Sequence, residues 1–354
     1  LAGSSEPAPQ EVISTDVAVI GAGPAGAIAA TCLARHGLDV LLIDPGPRDG
    51  PVIGETLPAV AAESLARHEL PGPLCDPRHS PISGTISAWD GPPVAEAALD
   101  RPGGKDWRLD RRAFDDALVQ AAFAAGAHRI EGIARSVQKE GAGWRMSVAG
   151  ETLTAAQLVD ASGRRGLVGR SLGLARDRQD AQIAVWAAGL PLPAPWTTKT
   201  LIQACDGGWW YGAVLPSGQP IAAFHCLVAR AQAIRREPQD WHTLLEGSGI
   251  IAAHLPPSAF THAALQFTDA SGNASVKTAG PGWVACGDAA ISFDPIAAQG
   301  LLNAVRTGLA AAGVLTGGDD ARHRYRRELQ EVWSQYKSRH QMLRARLKSS
   351  RLEN

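Results

Sequence analysis

The sequence predicts an α/β fold with an α+β second domain and a C-terminal helix, and three observations carry that expectation. Residues 16–44 read as strand, glycine-rich turn, helix and strand. Residues 283–308 read as a buried strand, a turn and a second helix. Between them, "LIQACDGGWWYGAVLP" and "QPIAAFHCLVA" read as a hairpin about Ser217-Gly218.

The first unit is "DVAVIGAGPAGAIAATCLARHGLDVLLID". Val17, Val19 and Ile20 make a short apolar strand, and Gly21, Gly23 and Gly26 supply a GxGxxG turn. Gly21 permits the tight turn, Gly23 lets backbone approach a pyrophosphate, and Gly26 allows the helix to pack closely on the strand. That helix begins at Pro24 and Ala25, where its positive end attracts phosphates, and runs to Arg35 before Gly37 closes it. The second strand ends in Asp44, eighteen residues after Gly26, placed to accept hydrogen bonds from an adenosine ribose. Strand, triplet, helix, strand and acid in register predict a Rossmann-like dinucleotide site. The alternative is a glycine-rich turn without a ligand. By itself the unit does not separate NAD from FAD.

The later segment, "GPGWVACGDAAISFDPIAAQGLLNAVRTGLAAAGVL", makes that choice. "WVACGDAA" reads as a buried strand ending in Gly287-Asp288, "DPIAAQG" as a turn, and a helix begins near Gly300. An acid at the strand end, Asp288, can hold a ribityl hydroxyl. A helix starting at Gln299-Gly300 points its positive end at an anion-bearing ring edge, such as the pyrimidine side of a reduced flavin.

This pair of segments resembles the FAD-dependent monooxygenases of the para-hydroxybenzoate hydroxylase fold and their relatives, the flavin-dependent halogenases. "LVDASGRRG", 158–166, is similar to the middle motif of that superfamily, with Asp160 as the strand-end acid and Arg164 or Arg165 in the basic role. The resemblance implies a Rossmann-like FAD-binding domain with an inserted antiparallel-sheet substrate domain. FAD would be held by Gly21, Gly23, Pro24, Ala25, Gly26, Asp44, Asp160, Gly287 and Asp288. Pro295 would lie beside the reactive C4a/N5 edge, with backbone groups of Gln299, Gly300 and Leu301 at the pyrimidine edge. "PVIGETLPAVAAESLARHEL", "GTISAWDG" and "GGKDWRLDRRAFDDALVQAAFAAGA" look like the halogenase-like branch, which includes flavoproteins implicated in tryptophylquinone cofactor maturation. By that likeness Arg111 contacts FAD from the start of a helix, unless it serves only as an i, i+4 partner of Asp115. Glu55 and Thr56 are the polar candidates of a loop near the flavin, unless they merely open the following helix.

Halogenation is disfavoured. The resemblance implies a relay lysine shortly before the Trp of the second segment, Trp89, and no lysine precedes Lys105. The WxWxIP element of halogenases is also broken, because after Trp209 and Tyr211 the proline arrives two residues late, at Pro216. What remains is direct oxygen transfer from a flavin C4a-hydroperoxide to an electron-rich aromatic, possible substrates being an indole or tryptophan, free or within a peptide or protein. Electrons would come from NADPH or from a separate flavin reductase.

In a regular strand Trp209 and Tyr211 share one face and Trp210 takes the other. A two-residue loop would set His225 opposite Trp210. Trp209 and Tyr211 are expected to line the cavity. His225 is a candidate acid/base, or else a core histidine satisfied by its neighbours.

The FAD-binding domain is expected to be discontinuous, over 12–75, 105–175 and 276–318. The substrate domain would occupy 76–104 and 176–275, with a C-terminal helix over 319–354 and a disordered tail over 1–11. From Arg322 to Arg351 the chain carries ten Lys or Arg against two Glu. Tyr325, Leu329, Val332 and Tyr336 form an apolar stripe there, and the basic residues form either a solvated face or a docking surface for an acidic protein.

Bulk composition fits an ordinary globular protein. The chain has 354 residues, 45% hydrophobic and 19% charged. A net charge of -1 gives no pull toward nucleic acid or an anionic membrane. Five cysteines without CxxC spacing argue against a metal or disulfide framework and suit the cytoplasm. No run reads as a membrane span or a signal peptide. Rival readings are a double-bond reductase of the geranylgeranyl-reductase type, a flavoprotein that only docks partners, and an NAD-dependent dehydrogenase, which the middle and C-terminal motifs contradict.

Overall fold

The computed structural model describes residues 12–349 except 47–49, 90, 99–103 and 180. The tail expected over 1–11 and the last residues of the basic run therefore lie outside the described residues. Two large sheets organise the chain.

The first sheet has eight strands. Val12–Ile20 runs parallel to Glu151–Asp160 on one side and to Val40–Asp44 on the other. Trp283–Ala285 lies beyond the former and His128–Glu131 beyond the latter, also parallel. Strand order thus reverses at Val12–Ile20, and the carboxyl ends Ile20, Asp44, Asp160 and Ala285 share one edge. A doubly wound sheet opens its binding crevice at such an edge. Small residues let the covering helices come close. A Cβ on Gly26 would stand 1.9 Å from the Gly21 carbonyl oxygen. One on Gly308, in the helix Gly300–Thr316, would stand 2.7 Å from the carbonyl oxygen of Ala25 in the helix Pro24–Arg35.

The second sheet has seven strands, in the order Gln266–Asp269, Gln182–Ala188, Pro220–Leu227, Gly208–Val214, Thr200–Cys205, Gly84–Ala88 and Val94–Ala97. It is not wholly antiparallel as expected, because Thr200–Cys205 and Gly84–Ala88 run parallel. These two come from separate stretches of chain, so no hairpin forces their directions to oppose. One face packs on three helices, Val228–Arg236, Gln239–Glu246 and Gly249–His254, around Trp210, Phe224, Trp241 and Phe260. The opposite face carries Trp209, Tyr211, Ala184, Ala223 and Trp186.

The hairpin register differs from the expectation by one residue. Leu215 donates to the Gln219 carbonyl at 2.8 Å, leaving a three-residue loop, Pro216-Ser217-Gly218, with Gly218 at φ 83°. Three-residue loops with a left-handed last residue are a standard hairpin closure. The extra residue pairs His225 with Trp209 instead of Trp210, and Trp210 with Phe224. A one-residue slip moves a side chain to the other face of the sheet. His225 therefore joins Trp209 and Tyr211.

The last helix, Gly318–Ser349, folds back on the first sheet. Its buried stripe is Tyr325, Leu329, Trp333, Tyr336 and His340, while Val332 is only half-buried. The Tyr325 hydroxyl donates to the Ala285 carbonyl at 2.7 Å, which fastens the helix to a central strand. Among the described residues no helix is long and apolar enough to cross a membrane.

Candidate active site

The crevice of the first sheet opens into a cavity of about 500 Å³, floored by the glycine turn and roofed by the second sheet. Its phosphate-sized end is built by Gly21, Gly23, Pro24 and Ala25. Gly21 has φ 106°, and a Cβ there would lie 2.4 Å from the Ala161 carbonyl oxygen, so only glycine fits. A Cβ on Gly23 would meet nothing within 4 Å. That open cradle faces a helix N-terminus with Pro24 at its first turn, no side-chain cap and no acidic residue. Free N–H groups and a positive dipole end there suit a diphosphate. Asp44 lines the cavity beside them, accepting from the Gly46 amide at 3.2 Å and pairing with Arg129 at 3.6 Å.

A second helix N-terminus meets the same cavity. Asp294 accepts from the Ile296 amide at 3.0 Å and fixes the turn Pro295–Ala297. Ala298 follows at φ 47°, and the helix Gly300–Thr316 then starts with no side-chain cap and no acid in its first turn. Pro295, Gln299, Gly300 and Leu301 all line the cavity. So do Gly287 and Asp288. Gly287 is clamped by Thr307, whose hydroxyl accepts from its amide at 2.7 Å, and by Asn303, which donates to its carbonyl at 3.1 Å. Asp288 sits 3.5 Å from Arg164 and keeps 34% side-chain exposure. Its depth pushes the carboxyl pKa up, against the pull of Arg164, Arg176 and Arg111. Arg164 also donates to the carbonyls of Ser271 at 2.7 Å and Phe293 at 3.1 Å, so it ties three cavity segments together.

Asp160 behaves differently from its neighbours. Its carboxylate accepts from the Ser162 hydroxyl at 2.5 Å, the Ser162 amide at 3.2 Å and the Val168 amide at 2.8 Å. It is 1% exposed and is not among the residues that line the cavity. Its hydrogen bonds shape the 161–168 loop. Arg111 makes the expected pair with Asp115 and also borders the cavity. Capped into place by Asp110, it pairs with Asp115 at 3.0 Å, donates to the Gly54 carbonyl at 2.7 Å and still lines the cavity.

Where the cofactor side meets the roof, the structure holds a group that sequence reasoning missed. Arg108, 2% exposed, donates to Glu55 at 3.1 Å, Thr56 at 2.9 Å, Tyr211 at 2.6 Å and Thr200 at 2.9 Å. Tyr211 in turn donates to Glu55, which also accepts from the Gly54 amide at 2.9 Å. Burial and the Glu55 carboxylate hold the Tyr211 phenol protonated, although Arg108 opposes them. Glu55, Thr56 and Tyr211 line the cavity. The only sequence signal for Arg108 was an arginine alone between Trp107 and Leu109, where a buried charge demands a partner.

His225 also lines the roof, 2% exposed, and neither ring nitrogen has a hydrogen-bond partner. Burial pushes its pKa down to about 4 against the pull of Asp294 and of the nearby Ala223 and Trp209 backbone, neither of which reaches a ring nitrogen with hydrogen-bond geometry. Trp209 does not line the cavity as expected. It stacks behind His225, ring centroids 3.9 Å apart and planes 6° apart, and the register shift is the reason.

An uncapped cradle, a ribose-side acid and a second helix end at the far side fit a flavin dinucleotide. Comparisons with known proteins agree. Residues 14–49 match a family model described as an FAD binding domain. A putative FAD-dependent oxidoreductase, LodB, of Marinomonas mediterranea is 28% identical over 341 residues, covering 91% of this chain and 90% of that one. A menaquinone reductase of Mycobacterium tuberculosis is 30% identical over 346 residues, covering 87% and 78%. The solved structure of QhpG, a peptidyl tryptophan dihydroxylase essential for tryptophylquinone cofactor biogenesis, superposes with a TM-score of 0.76 at 22% identity, over 91% of this chain and 73% of that one. The chain belongs to the FAD-dependent oxidoreductases.

Proposed function

We propose that this oxidoreductase is a monooxygenase acting on an electron-rich aromatic, first of all an indole, free or carried in a peptide or protein. The observation that supports this most is the roof of the cavity. It presents the aromatic ring of Tyr211 and an unpartnered His225 to the same cavity that the Pro295 turn lines. Bound FAD supplies the chemistry: two electrons from a donor reduce O2, one oxygen atom enters the aromatic C–H bond, and the other leaves as water.

On this reading the chain's own groups bind and orient. The Gly21–Ala25 turn and Asp44 hold the adenosine diphosphate half. Asp288, Arg111 and the amides of Gly300 and Leu301 hold the ribityl chain and ring edge, and Pro295 borders the reacting side. The cofactor would rest in a domain made of 12–75, 105–175 and 276–318, under a roof from 76–104 and 176–275. The electron donor is NADPH or a separate flavin reductase. Halogenation lacks a relay lysine, since the chain has none before Lys105. A second reading, a reductase of a prenylated quinone or lipid double bond, draws on the likeness to menaquinone reductase.

One experiment separates them. Holoprotein reduced without oxygen is mixed with labelled O2 and N-acetyltryptophanamide or a phenol. Transfer of one labelled oxygen atom into the aromatic supports the monooxygenase. Reoxidation by a short-chain prenylated menaquinone, with one side-chain double bond saturated and no oxygen incorporated into any aromatic, supports the reductase instead.

A further inference from the structure

The roof of the cavity has several polar groups, and among the described residues those other than His225 are spent inside the protein. Tyr211 gives its hydroxyl to Glu55 and receives Arg108. Thr268 accepts from the Trp186 indole at 3.0 Å, and Asp269 accepts from the Ser271 amide at 3.0 Å. His225 has no such bond at either nitrogen. Two other residues carry unpartnered buried polar atoms among the described residues, Thr278 and Arg326, and neither lines this cavity. Leaving a buried donor and acceptor unpaired is costly, and native proteins retain such groups where a ligand completes them.

The placement of the ring is also built. Trp209 lies flat against it, and Trp89 braces Trp209 from a centroid distance of 6.3 Å. The neighbour directly across the sheet is Ala184, and the next residue on the same face of its own strand is Ala223. Small residues beside a large, stacked ring leave space in front of its edge. That space belongs to the cavity, since Ala184 and His225 both line it.

We propose that His225 is the substrate-anchoring group of this site and selects aromatics that carry a ring N–H or a hydroxyl. The inference rests on the aromatic monooxygenase reading and names the substrate class for it. The imidazole is neutral at physiological pH, so one nitrogen accepts and the other donates. The accepting nitrogen takes the indole N–H or phenol O–H, and the other meets a carbonyl or hydroxyl of the same molecule. Trp209 keeps the ring from turning away. A prenyl chain offers neither group and would leave both nitrogens stranded.

The test uses the FAD-loaded protein and two probes, N-acetyltryptophanamide and its counterpart methylated at the indole nitrogen. Affinities are read from the flavin absorbance, and melting temperatures are taken without probe. The wild type is expected to bind the methylated probe about tenfold more weakly, the loss of one hydrogen bond to a buried acceptor. His225→Phe keeps the stack on Trp209 but removes the nitrogens, and should bind the two probes alike. His225→Gln should recover part of the preference. Without probe, His225→Phe should melt higher than the wild type, because a stranded polar group is gone.

Equal binding of both probes by the wild type overturns the anchor while leaving the aromatic reading standing. A preference that survives in His225→Phe, with a lower melting temperature, marks a structural histidine and also overturns it. If neither probe nor a simple phenol binds and a short-chain prenylated menaquinone does, the monooxygenase reading fails and the anchor with it.

Discussion

His225 and Glu55 are both buried, yet they load the fold in opposite ways. Glu55 is 0% and Arg108 2% exposed, and each satisfies the other. Removing one partner strands the other charge, so Glu55→Ala or Arg108→Ala should cost about 3–5 kcal/mol, read as a lower urea midpoint. The double replacement Glu55→Leu with Arg108→Met should recover a good part of that loss, since an apolar pair carries no desolvation penalty. His225 acts through protons. Its folded pKa of about 4 lies below the ordinary 6.5, so the unfolded chain binds more protons between those values. Stability is therefore full above about pH 6.5 and falls as pH drops toward 4, by about 3 kcal/mol for this one group. His225→Phe should flatten that arm of the stability–pH profile measured by urea unfolding.

At the scale of elements, the glycine turn separates fold from ligand. A side chain at Gly26 collides with the Gly21 carbonyl, whereas one at Gly23 enters open space. Gly26→Val should fail to fold. Gly23→Val should keep its melting temperature within a few degrees yet lose FAD affinity by tenfold or more, seen in the flavin-to-protein ratio after purification. The 16–44 unit was legible because its cues are local and periodic: an apolar strand, three glycines at fixed spacing, an acid at the next strand end. The turn at Pro295 and the helix start at Gln299-Gly300 were legible for the same reason. The face of His225 was not, because a single extra loop residue decides it and Pro216-Ser217-Gly218 permits either closure. Nor was the inward turn of Asp160, whose side chain is claimed by Ser162 and Val168 only once the loop has closed. Arg108 was invisible because its four partners come from three separate stretches of sequence.

The whole molecule is held together through the cavity walls. The C-terminal helix reaches the Pro295 turn, with the Tyr336 hydroxyl accepting from the Asp294 amide at 3.1 Å and His340 lying 3.5 Å from the Asp294 carboxylate. Tyr336→Phe should cost about 1 kcal/mol by thermal unfolding. Further along the same helix, Trp333 and Lys337 both donate to Asp177, at 2.7 and 2.8 Å. On the opposite wall, Arg108 and Glu55 come from the cofactor side, while Tyr211 and Thr200 come from the roof. To lift the roof, the molecule would have to pull a phenol and a threonine hydroxyl off a dry guanidinium. Jaws riveted in this way resist swinging, which puts the burden of selection on the doorway and the walls.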